Sequence, residues 1–196
     1  VDKNDEGFTN PTKPIGSFYT KDQADAFSKE TSFKFIEDSG RGYRRVVASP
    51  APLEVLEINT VKQVLDSGKI VIAGGGGGIP VVEESGGYIR ADAVIDKDFC
   101  AELLAEKVKA DYLFILTAVE KVAINFGKPN EQWLSSATVS ELDKYIAEGH
   151  FAPGSMLPKV QAAQKFVRQG FGNAVITSLD AAFDAWQGKT GTLITA

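Results

Sequence analysis

One stretch narrows the possible folds more than any other. Lys69-Ile-Val-Ile-Ala73 runs into five glycines, Gly74, Gly75, Gly76, Gly77 and Gly78, and then Ile79-Pro80. A β-branched apolar run that stops at a glycine cluster reads as a buried strand opening into a tight loop. Without Cβ atoms the backbone can take positive φ, and successive N–H groups can converge into a nest for an anion such as phosphate. A plain flexible turn is the alternative reading. Two common nucleotide motifs do not fit. Gly-x-Gly-x-x-Gly fails in every register, and Pro80-Val81-Val82 favours extended chain where a dinucleotide fold needs a helix. Gly188-Lys189-Thr190 resembles the end of a Walker A loop, but Phe183 stands where its first glycine is required. That tripeptide reads as a helix C-cap and turn.

A chain of 196 residues can bury a full core, which fits one domain with room for an appendage. The net charge of −5 gives no general attraction to nucleic acid or to an acidic membrane surface, so any anion site must be local. One cysteine, Cys100, allows no intramolecular disulfide and fits a reducing compartment. With a single histidine, His150, the composition also argues against a zinc site. No apolar run approaches the roughly 20 residues of a membrane span, and no signal peptide is visible. The chain begins at Val1 rather than methionine, which fits a piece of a longer polypeptide.

Asn10-Pro-Thr-Lys-Pro-Ile-Gly16 reads as a stiff loop whose two prolines hold Lys13 between them, aimed at a phosphate or simply at water. Thr20-x-x-Gln23 is a capping box that predicts a helix from Lys21 to about Lys29. A strand is expected at Phe33–Ile36, and Gly40-Arg-Gly-Tyr-Arg-Arg45 either holds an anion or faces solvent. A helix from Ile58 to Asp66 precedes the expected strand at Lys69–Ala73, and a hairpin follows it at Val81–Glu84 and Tyr88–Arg90. Asp96-Lys97-Asp98 opens a helix. The acids are explained by capping, but a lysine beside a helix N-terminus is unfavourable for the macrodipole and suggests a phosphate contact. Tyr112–Thr117 is a continuous apolar run expected to be a parallel strand covered on both faces.

Farther on, Thr138-x-x-Glu141 opens another helix. A helix from Met156 to Gln169 carries Pro158 in its first turn and Lys159 at its start, where phosphates bind. His150 reads as a core or capping histidine more readily than a catalytic one. A strand at Asn173–Thr177, a helix at Leu179–Trp186 and a strand at Gly191–Thr195 close the chain. Alternating strands and helices imply βαβ units and a mainly parallel sheet with helices on both faces, whose ligands bind at the carboxyl ends of the strands.

Taken together, these stretches resemble the carbamate kinases of the amino-acid-kinase superfamily. The likeness rests on Asn10–Gly16, Gly40–Val47, Ser49-Pro-Ala-Pro52, Gly75–Pro80, Ala93–Asp98, Ile115–Thr117, Ile124-Asn-Phe-Gly-Lys-Pro129, Gly149-His-Phe-Ala152 and Gly154–Lys159, in the family's order. It implies a three-layer αβα sandwich over residues 1–196, partial, with 10–47 as a protruding substrate-side subdomain. It implies a cytoplasmic homodimer that transfers a phosphoryl group reversibly between carbamoyl phosphate and ADP, giving ATP and carbamate, with Mg²⁺, in arginine breakdown.

By position, Lys13, Lys97 and Lys159 would neutralise phosphate and Asp96 would orient Lys97. Gly74–Gly78 would hold the carbamoyl-phosphate end. Thr117, Asn125, Phe126 and Lys128 would border the nucleotide, with Met156 and Pro158 flanking it. The family's N-terminal segment, whose first strand ends in Gly-Gly-Asn, has no counterpart here, which implies an incomplete active site. Ala118 and Glu120 also depart from the Thr-Asp-x-Asp pattern of many superfamily members. Cys100 lies one turn from Lys97, so a thiol reagent either inhibits or meets a buried side chain. A nucleotide-binding or dimerising fragment without turnover, and a kinase for another small acid, are the alternative functions.

Overall fold

The computed structural model describes residues 1–38 and 40–196. The chain divides into two compact units, Val1–Glu54 with Gly74–Lys97, and Val55–Ala73 with Asp98–Ala196.

The first unit holds a short helix α1 (Glu6–Thr9), strand β1 (Lys13–Tyr19), helix α2 (Lys21–Glu30) and strands β2 (Lys34–Glu37) and β3 (Tyr43–Val47). The strands form an antiparallel sheet in the order β1-β3-β2. The Thr20–Gln23 capping box forms in both directions and starts α2 where the sequence places it. Lys13–Gly16 is strand rather than the expected loop. Pro14 is tolerated because β1 lies at the sheet's edge, pairing only with β3.

The three arginines of residues 41–45 are engaged within this unit. Arg41 and Arg44 stack on Phe18 at 4.9 and 5.1 Å, and both pair with Asp38. Arg45 lies 3.4 Å over the Phe33 ring. Strands β4 (Val81–Glu84) and β5 (Gly87–Arg90) make the expected hairpin. Its two-residue turn has positive φ at both Ser85 and Gly86, the twist that suits a tight hairpin.

The second unit contains α3 (Ile58–Asp66), α4 (Lys97–Val108, of which Lys97 is counted with the first unit), β6 (Tyr112–Thr117) and the hairpin of β7 (Val122–Ile124) and β8 (Gln132–Leu134). Then come β9 (Ser136–Thr138), α5 (Val139–Ala147), α6 (Met156–Arg168), β10 (Asn173–Ser178), α7 (Ala182–Trp186) and β11 (Thr192–Thr195). The sheet order is β6-β10-β11-β9. It is mixed: β6/β10 and β11/β9 are parallel, whereas β10/β11 is antiparallel because only a short helix and turn join them.

Leu113, Ile115, Ala174, Ile176 and Ile194 point to one face and pack against Ala105 of α4, Leu142 of α5 and Val160, Ala163 and Phe166 of α6. The other face carries Val175, beside which α7 places Ala185. The unit is therefore layered helix–sheet–helix, with the core on the α4–α6 side.

Two strand expectations need correction. Lys69–Ala73 has no regular structure, and Ile70 and Ile72 are each 96% exposed. A strand needs a neighbour to take up its N–H and C=O groups, and among the described residues none pairs with this run. Tyr112–Thr117 is a strand and is parallel to β10, but it is the edge of its sheet rather than covered on both faces. Tyr112 is 52% exposed and Leu116 38%. The last helix is also shorter than expected, starting at Ala182.

Candidate active site

In the first unit three of the expected elements come together. Ala48, just beyond β3, accepts a hydrogen bond from Val94 N–H at 3.0 Å, which lays the 94–96 segment beside the sheet that carries Lys13. Lys13 Nζ reaches Asp96 Oδ2 at 2.5 Å. Asp96 is buried, so its carboxylate is stabilised by this charge-assisted bond rather than by water.

The glycine loop touches the same segment. Gly77 N–H closes a turn on the Gly74 carbonyl at 2.8 Å, and Gly74, Gly75, Gly77 and Gly78 all have positive φ. At Gly77 (φ +132°) the backbone passes so close to Ile95 that an added Cβ would stand 3.1 Å from its carbonyl carbon and nearer still to the oxygen. A side chain there would push the loop off the residue that precedes Asp96.

In the second unit Lys159, in the first turn of α6, reaches Asp98 Oδ2 at 3.0 Å. The Asp98 side chain is 7% exposed and that of Lys159 15%. Asp98 sits in the first turn of α4, where a carboxylate also meets the positive end of the helix dipole. Lys97, between the two buried acids in sequence, is exposed. Each unit thus fixes one ammonium group by an aspartate that is withdrawn from solvent. A lysine held this way presents a positive charge with less conformational freedom to lose when an anion arrives.

The residues expected around a nucleotide lie in the second unit. Thr117 ends β6, in register with Ser178. Asn125, Phe126 and Lys128 form one turn, with Lys128 N–H donating to the Asn125 carbonyl at 3.0 Å. Phe126 is 63% exposed and meets Trp133 edge-on, with ring centroids 6.0 Å apart. Met156 packs against the core, and Pro158 is buried in α6. Glu120 accepts a hydrogen bond from the Thr190 hydroxyl.

Sequence reasoning missed two arrangements. His150 contacts the 125–128 turn, and Glu102 is fully buried with Lys165 2.7 Å away. Burial pushes the Glu102 carboxyl up, and the hydrogen bond from Lys165 only partly opposes that. A single histidine and a glutamate inside a helix carry no spacing signal that would have found either. Cys100 is buried, and burial raises its thiol above the ordinary range. Among the described residues no group of three His, Cys, Asp or Glu could cage a metal ion.

The profile of the amino acid kinase family matches residues 18–178. The chain belongs to the amino acid kinase family. Within that family it is 57% identical to the carbamate kinase of Clostridium perfringens over 195 residues, 99% of this chain and 62% of that protein. It is 56% identical to a carbamate kinase-like protein of Escherichia coli, again covering 99% of this chain and 63% of the relative. The carbamate kinase of Giardia lamblia bound to citric acid superposes with a TM-score of 0.92 at 44% identity, covering all of this chain and 61% of that one. The same enzyme bound to AMP-PNP gives 0.84 at 46% identity, covering 62% of that chain. The chain spans just under two thirds of the length of these amino acid kinase relatives.

Proposed function

We propose that the protein is a carbamate kinase, moving a phosphoryl group between carbamoyl phosphate and ADP. The observation that carries this reading is the pair of lysine–aspartate contacts, Lys13–Asp96 and Lys159–Asp98, formed by acids two residues apart in sequence. In the transfer, the bond between phosphorus and the carbamate oxygen breaks while a β-phosphate oxygen of ADP forms the new one. Carbamate leaves as an anion, and no proton needs to move. The protein's task is to position the partners and to neutralise charge on the three equatorial oxygens.

Lys13, Lys97 and Lys159 supply positive charge, Asp96 and Asp98 hold their partners in place, and the Gly74–Gly78 turn receives the carbamoyl-phosphate end. The exposed Phe126 borders the base, with Asn125, Lys128 and Thr117 near it. The Giardia enzyme's structure with AMP-PNP supports a nucleotide as one substrate. ATP made this way fits a role in arginine breakdown, and the same reading makes the protein a cytoplasmic homodimer.

The test is acceptor choice. With MgATP, carbamate should turn over and N-acetylglutamate and UMP should not. Preferential turnover of either of those would replace carbamate kinase with another activity of the family. A second reading, a nucleotide-binding piece without turnover, is favoured by the 96% exposure of Ile70 and Ile72 beside the glycine loop in sequence.

A further inference from the structure

We infer that His150 is a positioning residue for the nucleotide: its ring holds the Asn125–Lys128 turn, and so the Phe126 side chain, in place. This rests on the reading that residues 125–128 border an adenine nucleotide. Asn125 has φ +54°, the left-handed conformation that asparagine tolerates better than most side chains. Its backbone N–H points at His150 Nδ1, 3.4 Å away. A backbone N–H can only donate, so Nδ1 is the acceptor and carries no proton. The ring proton is then on Nε2, which lies 3.1 Å from Glu148 Oε2 and donates to it.

Both ring nitrogens are thus engaged in hydrogen bonds. The ring is fixed on a further side by Tyr145, edge-on at 5.7 Å, and the His150 backbone N–H bonds the Tyr145 carbonyl at 3.0 Å. Its side chain is 15% exposed.

The other end of the turn is tied as firmly. Gly127 N–H donates to Glu131 Oε2 at 2.7 Å, Glu131 N–H to the Lys128 carbonyl at 3.0 Å, and Asn125 Nδ2 to the Asn130 carbonyl at 3.4 Å. What this fixed turn presents is an exposed phenyl ring braced by Trp133. A pre-ordered aromatic ring loses little freedom on stacking with a base, so binding gains from the clamp without His150 touching the ligand.

The experiment compares His150→Ala and His150→Asn with the wild-type chain, using MgADP as probe. Asparagine can place Oδ1 where Nδ1 accepts. Titration calorimetry should show MgADP weakened about five- to tenfold in His150→Ala and restored to near the wild-type value in His150→Asn. The ¹⁵N imidazole spectrum of the wild type has signals from one histidine only, and should show the proton on Nε2. This second readout needs no variant to fold.

Equal affinity in wild type and His150→Ala, or a proton on Nδ1, overturns the positioning role and leaves the nucleotide reading standing. A wild-type chain that binds no MgADP overturns both the nucleotide reading and this role. Even then the spectrum still reports whether the ring clamps the turn.

Discussion

Replacing Gly77 by alanine tests the glycine loop at the point where its backbone is most constrained. The new Cβ would lie 3.1 Å from the Ile95 carbonyl carbon, 3.3 Å from the Ile95 Cβ and closer still to the carbonyl oxygen. Carbon atoms settle at about 3.5–4.0 Å, so loop and segment must part by roughly 1 Å. Ile95 is 4% exposed and cannot readily recoil, so the loop is what moves. Alanine at φ +132° adds about 1–3 kcal/mol of backbone strain. At about 2–4 °C per kcal/mol for a chain of this size, the melting temperature should fall by about 5 °C.

On the proposed role of the loop at the carbamoyl-phosphate end, a displacement of about 1 Å should lose about 10²-fold in kcat/KM for carbamoyl phosphate. Gly76→Ala is the control for strain: its Cβ meets nothing within 4 Å and its φ is not in the left-handed region, so melting should stay near wild type. The assay is coupled ATP formation together with a thermal melt on each variant. Wild-type turnover in Gly77→Ala, or an equal fall in melting temperature in Gly76→Ala, would refute the reasoning.

Other perturbations read other parts of the molecule. Burial raises the Glu102 carboxyl, so the proton is held more tightly in the folded state than in the unfolded one, and Glu102's contribution to stability declines as pH rises through its folded pKa. Lys165→Met removes the opposing charge. Since Lys165 is 45% exposed, the loss should be about 2 kcal/mol at pH 8, below the usual range for a buried pair, and smaller at pH 5. Urea denaturation at both values measures it, and an equal loss at each pH would contradict it. Cys100, with its thiol raised by burial, should react with iodoacetamide at least about tenfold more slowly in the native chain than in urea. Comparable rates would show the thiol to be accessible. Ile70→Thr with Ile72→Thr should change the unfolding free energy of this chain by no more than about 0.5 kcal/mol, because both side chains already stand in water. A larger loss would mean that the run is packed.

Helices were the most legible part of the sequence, because their signals are local. The two capping boxes at Thr20 and Thr138 form as written, and α3 runs from Ile58 to Asp66 as its apolar face and Gly68 indicate. Strands depend on neighbours that no window contains. The β-branched patterning at Lys69–Ala73 could not reveal that no described strand pairs with it, and Pro14 hid an edge strand inside what reads as a proline-stiffened loop. At the candidate site, Lys97 between two acids was visible as an oddity of charge at a helix start. The acids' contacts with Lys13 and Lys159 span 83 and 61 residues, distances that spacing arguments do not reach. His150 was unreadable for the same reason: its partner Asn125 is reached only when β7 and the end of α5 are brought together.

The most direct measurement is ATP formation from carbamoyl phosphate and MgADP by the wild-type chain, alongside Lys13→Met and Lys159→Met with their melting curves. The account predicts turnover in the wild type and a loss of about 10²-fold or more in each variant with folding retained. No ATP from a wild-type chain that nonetheless binds MgADP, or undiminished turnover in either lysine variant, would contradict it.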